Sequence, residues 1–241
     1  MKILVTNDDG IDADGIKVLE YWLERLGHET TVVAPLANCS GQSGAITLEK
    51  SLTVVEYGDR HWAVGGLPAD CVRVALAFLQ FRPDLVCSGV NHGHNLGFDS
   101  YASGTVGAAR MASMRGLPAV AFSAPPMVSW EHVTDLLEHH GSAIIAETLA
   151  HATHTVISVN FPPKGGERMV YANLSGSQFV DDMQWAEFKD GRHRVRLIST
   201  SVSHARYEPD SDAEGIRRQN TVLTHLPLVP VPRSSVAVKA R

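Results

Sequence analysis

Two adjacent carboxylates, Asp8 and Asp9, directly follow a short apolar segment at residues 3–6 that is typical of a buried strand. Neighbouring carboxylates that are partly buried raise each other's pKa and reduce stability. A divalent cation removes that penalty, and the hard ions Mg²⁺ and Mn²⁺ prefer oxygen ligands. The pair therefore predicts a metal site, against the alternative that residues 7–10 form only a solvated turn.

Two further oxygen donors occupy comparable positions along the chain. Ser40 lies in a polar segment after the predicted strand 30–34, and Asn91 follows the predicted strand 85–87. Ligands of open α/β sheets bind at the carboxyl ends of the strands, where these loops emerge on one edge. We therefore expect Ser40 and Asn91 to join the two aspartates as metal ligands, leaving coordination positions for water and a phosphate oxygen.

The segment Ser103, Gly104 and Thr105 precedes a small-residue helix and has the features of a phosphate cradle. Glycine permits close backbone approach, the hydroxyls donate hydrogen bonds, and a helix N-terminus carries partial positive charge. The alternative is an ordinary helix cap made of small residues. The glycine-rich stretch at residues 88–97 just upstream favours the phosphate interpretation.

Histidines and cysteines add less to the predicted chemistry. His92 and His94 lie two residues apart in a loop, a spacing that is a weak metal signature, so we expect surface or supporting positions for them. The three cysteines, Cys39, Cys71 and Cys87, form no metal-binding pattern and are expected to be reduced thiols. Cys39 is expected near the site because it adjoins Ser40.

The elements that must position these residues alternate between strand-like and helix-like patterns. This alternation predicts an α/β fold with a mostly parallel sheet between two helical layers, a Rossmann-like three-layer architecture. The predicted strands are residues 3–6, 30–34, 85–87, 119–122 and 156–160, and the predicted helices are residues 16–26, 68–80, 103–109 onward and 131–150. Two short antiparallel strands are predicted at residues 45–48 and 52–56.

The pattern weakens after residue 162. Residues 168–171 and 195–199 are predicted strands, and the proline-containing tail 227–241 is not expected to pack as a helix. We therefore expect one domain with a core at residues 1–162 and an extension at residues 163–241 that acts as an oligomerisation arm.

Composition excludes several classes of protein. The 241 residues carry a formal net charge of −5, which argues against a nucleic-acid-binding protein. An anionic substrate would therefore need a local binding group, such as a metal ion, a helix N-terminus or backbone N–H groups. No apolar run approaches the length of a membrane span, and the first residues lack the pattern of a signal peptide. We therefore expect a soluble cytoplasmic protein without a membrane partner.

Several segments together resemble the SurE (survival protein E) family. They occur in that family's order and spacing, and they are VTNDDGI at residues 5–11, VAP at 33–35 with SG at 40–41, SGVNHGHNLG at 88–97 and SGTVGAA at 103–109. PADCV at 68–72 and VNFP at 159–162 extend the match. One such motif is weak evidence, but the ordered set is specific and spans residues 1–162.

The resemblance implies a Rossmann-like domain with a C-terminal extension that makes dimer or tetramer contacts. It implies divalent-cation-dependent hydrolysis of nucleoside 5′-monophosphates, often of 3′-monophosphates, and sometimes of short polyphosphate. Position by position, it assigns one Mg²⁺ or Mn²⁺ per subunit to Asp8, Asp9, Ser40 and Asn91. It assigns the phosphate-side loop to Asn95, Ser103, Gly104 and Thr105.

The predicted chemistry is phosphoryl transfer to water, with Asp8 or Asp9 orienting or deprotonating that water. One alternative is another phosphoryl or glycosyl transfer on a similar sheet. The adjacent aspartates differ from the Asp-x-Asp spacing of haloacid dehalogenase-like phosphatases, which argues against that class. A second alternative is a metal- or nucleotide-binding module without turnover, against which the complete set of four predicted ligands argues.

Overall fold

The computed structural model describes residues 1–151, 154–201 and 207–228. Its strands are β1 (Lys2–Thr6), β2 (Glu29–Pro35), β3 (Val54–Gly58), β4 (His61–Val64), β5 (Leu85–His92), β6 (Ala119–Ala124), β7 (Thr155–Asn160), β8 (Met169–Tyr171), β9 (Phe179–Lys189), β10 (Arg192–Ser201) and β11 (Thr221–Pro227). Its α-helices are α1 (Asp14–Arg25), α2 (Pro68–Ala77), α3 (Gly104–Met114), α4 (Trp130–Ala150) and α5 (Asp212–Arg217), and a 3₁₀ helix covers Gly97–Ala102.

Nine strands form one sheet in the order β3-β4-β2-β1-β5-β6-β7-β11-β8. The central strands β4, β2, β1, β5, β6 and β7 are parallel to one another, whereas β3 and β11 are antiparallel to β4 and β7. Successive parallel strands need crossover connections, and helices supply most of them here. The predicted mostly parallel α/β fold is confirmed.

Helices cover both faces of the sheet because side chains of each strand alternate between two cores. In β1, Ile3 and Val5 pack with α1 and α4, whereas Leu4 packs with α2 and α3 on the opposite face. Strands buried on both faces are expected to be almost continuously apolar, and β1 fits this expectation because Ile3, Leu4 and Val5 are fully buried.

The structure corrects some predicted boundaries. Residues 45–48 form no strand, and the predicted strand 52–56 corresponds to β3, which pairs with β4 instead of with residues 45–48. Strand β5 continues to His92, so much of the predicted glycine-rich loop is strand. Its pairing with β6 shifts register between Ser88 and Asn91.

The segment after residue 162 contributes more to the sheet than the sequence pattern indicates. Strands β8 and β11 extend the nine-stranded sheet beyond β7, while β9 and β10 form a separate two-stranded hairpin. Sequence patterning predicts β8 and β10 and misses β9, α5 and β11. Most of the predicted tail 227–241 lies outside the described residues. Within the described ranges, none of the helices combines the length and the apolar character needed to cross a lipid bilayer.

Contact between α1 and α4 depends on a glycine. A Cβ atom at Gly141 would lie 1.9 Å from Cζ2 of Trp22, which is buried in the core. The absence of a side chain at Gly141 therefore lets the two helices approach with the indole ring between them.

We expect Gly141→Ala to lower the free energy of unfolding by about 1–3 kcal/mol because the added methyl overpacks the core. Helix propensity alone would change stability in the opposite direction by about 1 kcal/mol. Urea denaturation measures the difference. The exposed neighbour Ser142 provides a control, since Ser142→Ala should stay within about 0.5 kcal/mol of the parent. An unchanged or higher stability of Gly141→Ala would contradict this packing argument.

Candidate metal and phosphate site

The predicted ligands converge because three neighbouring parallel strands end beside one another. Strand β1 lies between β2 and β5, and it pairs with both. Asp8 and Asp9 follow β1, Ser40 follows β2, and Asn91 lies near the end of β5. The segments that carry these residues therefore meet at one edge of the sheet.

Asp8 is the buried centre of this group. Only 2% of its surface is exposed, and the Thr105 hydroxyl donates a short hydrogen bond to its Oδ1 atom. A Cβ atom at Gly104 would lie 2.8 Å from both Cβ and Oδ2 of Asp8, so glycine is required for the close approach. The first turn of α3 therefore packs directly against the carboxyl group.

Burial of Asp8 makes its negative charge unfavourable. Desolvation, with a further contribution from the charge of Asp9, raises the pKa of Asp8 from 3.8 to about 6, even though the hydrogen bond from Thr105 acts in the opposite direction. A carboxyl group with this pKa binds a proton or a cation more readily than an ordinary surface carboxylate does.

Asp9 is partly buried and connects the loops on both sides. Its Oδ2 atom accepts a hydrogen bond from the backbone N–H of His92 at 3.1 Å, and its Oδ1 atom accepts one from the Asn38 side chain at 3.3 Å. Each carboxylate oxygen has further lone pairs, so these bonds orient the group without exhausting its capacity to bind a ligand.

The loop after β2 is held to Asp8 through its backbone. The Cys39 N–H donates to the main-chain oxygen of Asp8 at 2.7 Å, and the Ser40 N–H donates to Oδ1 of Asn38 at 3.0 Å. The Ser40 residue itself is exposed. The backbone of this loop therefore lies against Asp8, and Ser40 is accessible to a ligand.

Further along, the same loop lies against α3. The Ser43 hydroxyl donates a hydrogen bond to the main-chain oxygen of Tyr101 at 2.7 Å. A Cβ atom at Gly107 would lie 2.0 Å from the main-chain oxygen of Ser43. Gly107 thus allows the β2 loop to rest on the first turns of the helix that also contacts Asp8.

The side chain of Asn91 is held by one hydrogen bond from its amide nitrogen. Its Nδ2 atom donates to the main-chain oxygen of Gly93 at 2.7 Å, which orients the amide group. In this orientation Oδ1 remains as an acceptor or metal ligand.

The four predicted phosphate-side residues have different surroundings. Gly104 and Thr105 contact Asp8, as described above. Ser103 caps α3 by accepting a hydrogen bond from the Val106 N–H at 3.2 Å, which is the alternative role considered for this segment. Among the described residues, the hydrogen-bond partners of Asn95 are Asn160, which binds both its backbone N–H and its carbonyl group, and Ser123, which accepts from its Nδ2 atom at 2.8 Å.

The histidines occupy supporting positions around this site. The exposed His92 contributes its backbone N–H to Asp9, and its ring lies 6.0 Å from that of Trp130. The Nε2 atom of His94 lies 2.8 Å from the Phe161 carbonyl oxygen, and burial lowers the pKa of this histidine. Burial and the nearby Asp8 raise the pKa of the Cys39 thiol, which is consistent with the expected position of Cys39 beside the site.

Sequence reasoning missed Asn38, Gly107 and the bond from Thr105 to Asp8. The position of Asn38, in the polar segment directly after β2, is the one signal that could have identified it. The other two contacts link residues that are far apart in the chain. Only the packing of α3 against the ends of β1 and β2 brings them together.

The group of donors suits a hard divalent cation. Two carboxylates, one hydroxyl and one amide oxygen make an all-oxygen set, which Mg²⁺ and Mn²⁺ favour. The raised pKa of Asp8 also fits a cation, because burial makes the negative charge of this carboxyl group unfavourable and a cation would remove that penalty.

Comparisons with known proteins identify the family that this chain resembles in sequence. The family model described as "Survival protein SurE" matches residues 3–186. The chain is 36% identical over 219 residues to "5'-nucleotidase SurE 1" of Burkholderia lata, which covers 88% of the chain and 83% of that protein. It is 38% identical over 238 residues to "5'-nucleotidase SurE" of Solidesulfovibrio magneticus, with coverage of 94% and 91%.

A solved structure shares the fold. The crystal structure of the SurE protein from Aquifex aeolicus superimposes with a TM-score of 0.80 at 26% sequence identity, and the match covers 96% of this chain and 95% of that one.

The pKa of Asp8 predicts how metal-free stability changes with pH. The folded-state pKa of about 6 is higher than the ordinary value of 3.8, so the folded protein binds this proton more tightly than the unfolded chain does. Stability from this group is therefore present below about pH 4 and decreases as the pH rises to about 6 and above. We expect Asp8→Asn to remove this decrease and to be more stable than the parent at pH 7, on the order of 2–3 kcal/mol.

Urea denaturation in EDTA at several values between pH 4 and pH 7 measures both profiles. Asp59→Asn is the matched control, since that side chain is 97% exposed and should reproduce the parent profile. Parallel profiles for Asp8→Asn and the parent would show that burial does not perturb Asp8.

Proposed function

Since the chain belongs to the survival protein SurE family, we propose that it is a divalent-metal-dependent 5′-nucleotidase, a phosphoric monoester hydrolase that converts nucleoside 5′-monophosphates to nucleoside and phosphate. The observation that carries the proposal is the buried Asp8 carboxyl group between Asp9 and the first turn of α3. We propose that a cation site and an anion site lie side by side in this arrangement. The two relatives named above as 5′-nucleotidases support the choice of substrate class.

Asp8, Asp9, Ser40 and Asn91 would hold one Mg²⁺ or Mn²⁺ ion per subunit. Their oxygen atoms match the preference of these ions, and the hydrogen bonds of Asp9 and Asn91 restrict the orientation of both side chains. When bound, such a cation would neutralise negative charge on the phosphoryl oxygens and would lower the pKa of water.

The two aspartates have distinct surroundings and therefore suit distinct roles. Asp8 is buried and accepts a hydrogen bond from the Thr105 hydroxyl, so its carboxyl group is held in a fixed position at the bottom of the site. Asp9 is partly exposed and can reach a water molecule that approaches from solvent. We assign to Asp9 the orientation of the attacking water and the acceptance of its proton, with Asp8 as the electrostatic anchor.

The phosphoryl group would lie at the N-terminus of α3. The partial positive charge at the N-terminus of this 11-residue helix favours an anion at this end. The Ser103 hydroxyl accepts the capping bond but retains its own proton for donation, and the Asn95 amide retains one N–H after binding Ser123. These donors would stabilise negative charge that develops on the phosphoryl oxygens.

Nothing in this arrangement requires the phosphate to be attached at the 5′ position. The proposed donors would all contact the phosphate and not the sugar, so nucleoside 3′-monophosphates and short polyphosphate are further substrates to test. The three cysteines are free thiols, and we propose the reducing cytoplasm as the working compartment.

The hairpin of β9 and β10 supports the proposal of a homodimer or homotetramer. Its large apolar side chains are each roughly half exposed, which is unusual for a monomer. They include Phe179, Met183, Trp185, Phe188, Val195 and Leu197. A second copy of the chain would bury this surface, and the hairpin would act as the predicted oligomerisation arm.

Phosphate release from nucleoside 5′- and 3′-monophosphates and from short polyphosphate, measured with Mg²⁺, with Mn²⁺ and with EDTA, tests the activity. We expect release from 5′-monophosphates that is lost in EDTA. Asp9→Asn should reduce kcat by at least about 100-fold because it removes the proton acceptor and a metal ligand. Asp12→Asn, three residues along the chain and hydrogen-bonded to Tyr57, should retain near-parental rates.

Two results would overturn the proposal. Undiminished turnover by Asp9→Asn would exclude the assigned role of Asp9. Folded parent protein that binds Mn²⁺ but releases no phosphate from any nucleotide would favour a binding module instead.

The oligomerisation proposal predicts that charge on the hairpin dissociates the subunits. Met183 and Leu197 lie directly opposite each other in the β9–β10 register and are 58% and 59% exposed. We expect Met183→Glu/Leu197→Glu to be a folded monomer, because burying two carboxylates in an apolar interface is unfavourable. Light scattering coupled to gel filtration measures the mass, and circular dichroism checks the fold.

Phe78→Glu/Met114→Glu adds the same charge at exposed apolar positions outside the hairpin and should leave the parental mass unchanged. A monomeric parent protein would contradict the proposal. So would a hairpin variant that keeps the parental mass.

A further inference from the structure

A second group of metal-ligating side chains lies away from the acidic site. In the described part of the chain, Glu147, His151 and His225 form the one group of three His, Cys, Asp or Glu residues whose ligand atoms all lie within 4.8 Å of one another. Glu147 lies in the last turn of α4, and His151, four residues later, directly follows the helix, so their side chains lie on the same side. His225 comes from β11.

This group lies at the opposite edge of the sheet from Asp8. His151 ends α4, just before β7 begins, whereas Asp8 and Asn91 lie where β1 and β5 end. His225 pairs with Ile157 near the beginning of β7, since β11 runs antiparallel to β7. The two groups are therefore separated by the length of the parallel strands.

Two of the three separations between ligand atoms fit tetrahedral coordination. The Oε1 atom of Glu147 is 3.3 Å from Nδ1 of His151 and 3.0 Å from Nε2 of His225. Zinc bonds to nitrogen and oxygen are about 2.0–2.2 Å long, which places neighbouring ligands of a tetrahedron about 3.3 Å apart. The carboxylate oxygen thus has both nitrogens at the separation expected of ligands that share an ion.

The orientation of His225 supports the same conclusion. Its Nε2 atom is buried and has no hydrogen-bond partner among the residues that the structure describes, although Glu147 Oε1 is only 3.0 Å away, so the contact lacks hydrogen-bond geometry. Ligands of a common ion point toward a shared centre and not toward each other. A buried nitrogen without a partner is also unfavourable, and coordination would satisfy it.

Neighbouring groups orient the cluster. The Tyr171 hydroxyl hydrogen-bonds to Glu147, and burial together with the negative charge of Glu147 raises the pKa of this tyrosine. The ring of His225 packs edge-on against those of Tyr171 and His151, with centroids 5.7 Å and 4.7 Å away. Such outer partners typically fix the geometry of metal ligands. His151 Nδ1 also lies 3.1 Å from the Glu147 carbonyl oxygen, a contact that this nitrogen would give up on coordination.

We propose that Glu147, His151 and His225 form a second metal site that binds a divalent transition metal such as Zn²⁺, with water completing the coordination. Two imidazoles and one carboxylate select a transition metal, whereas the all-oxygen set at Asp8 selects a hard ion. The side chains of Glu147, His151 and His225 are 20%, 45% and 35% exposed, which leaves a path for the ion to enter. The bound ion joins the end of α4 to β11.

Zinc binding to chelator-stripped protein, measured by calorimetry in excess Mg²⁺, tests the proposal. The measurement uses Asp9→Asn as the parent, so that zinc at the acidic site does not contribute. We expect one Zn²⁺ per chain. Loss of an outer partner typically weakens metal affinity 10–100-fold, so His151→Ala and His225→Gln, which each remove a ligand, should raise the Kd at least about tenfold. Zn²⁺ should raise the temperature of thermal unfolding of the Asp9→Asn protein. It should not raise that of the double variant Asp9→Asn/His151→Ala.

His139→Ala is the matched control, because His139 is an exposed histidine on the same helix and should leave zinc binding unchanged. Absence of zinc binding would overturn the proposal and leave an ordinary ion-pair cluster. If His139→Ala weakened zinc binding as much as His151→Ala, or if His151→Ala did not weaken it, the zinc would be bound by scattered surface histidines. Either result would also overturn the proposal. His151 is exposed, so this variant is expected to fold. No measurement here depends on nucleotidase activity.

Discussion

The site depends on holding one carboxyl group, that of Asp8, almost out of contact with water. Burial makes its charge unfavourable, and the structure compensates only in part, through the Thr105 hydroxyl. The same burial brings the carboxyl group against the N-terminus of α3, where Gly104 leaves no side chain in the way. In the proposed function, a cation bound beside Asp8 would remove the penalty of its buried charge, and a phosphate group would interact favourably with the helix N-terminus.

The sheet provides the rigidity that this arrangement requires. Strands β1, β2 and β5 are adjacent and parallel, so their loops meet without long connections. The loop after β2 is further tied to Asp8 through the Cys39 N–H and to the 3₁₀ segment through Ser43. Short backbone bonds of this kind restrict loop motion, which keeps the predicted ligands near one another before any ion binds.

The C-terminal segment has two structural roles. Strands β8 and β11 complete the sheet beyond β7, and β11 also carries His225 to the end of α4. The β9–β10 hairpin instead exposes apolar side chains on a separate two-stranded sheet. Two isolated strands have little stability in water, so an exposed apolar hairpin of this length favours burial against another subunit.

The sequence by itself determined the α/β class and the ends of β1 and β2, which Asp8, Asp9 and Ser40 follow, because hydrophobic runs, turn residues and the carboxyl-end rule are local signals. It also identified the first turn of α3. The predicted end of β5 is too early, since Asn91 lies within that strand. Only the tertiary structure decided which groups Thr105, Asn38 and Asn95 bind, how deeply Asp8 is buried, and that Glu147, His151 and His225 meet. These properties depend on contacts between residues far apart in the chain. The same reason explains the missed β9 and β11, whose pairing partners are set by the assembled sheet and hairpin and not by their own patterns.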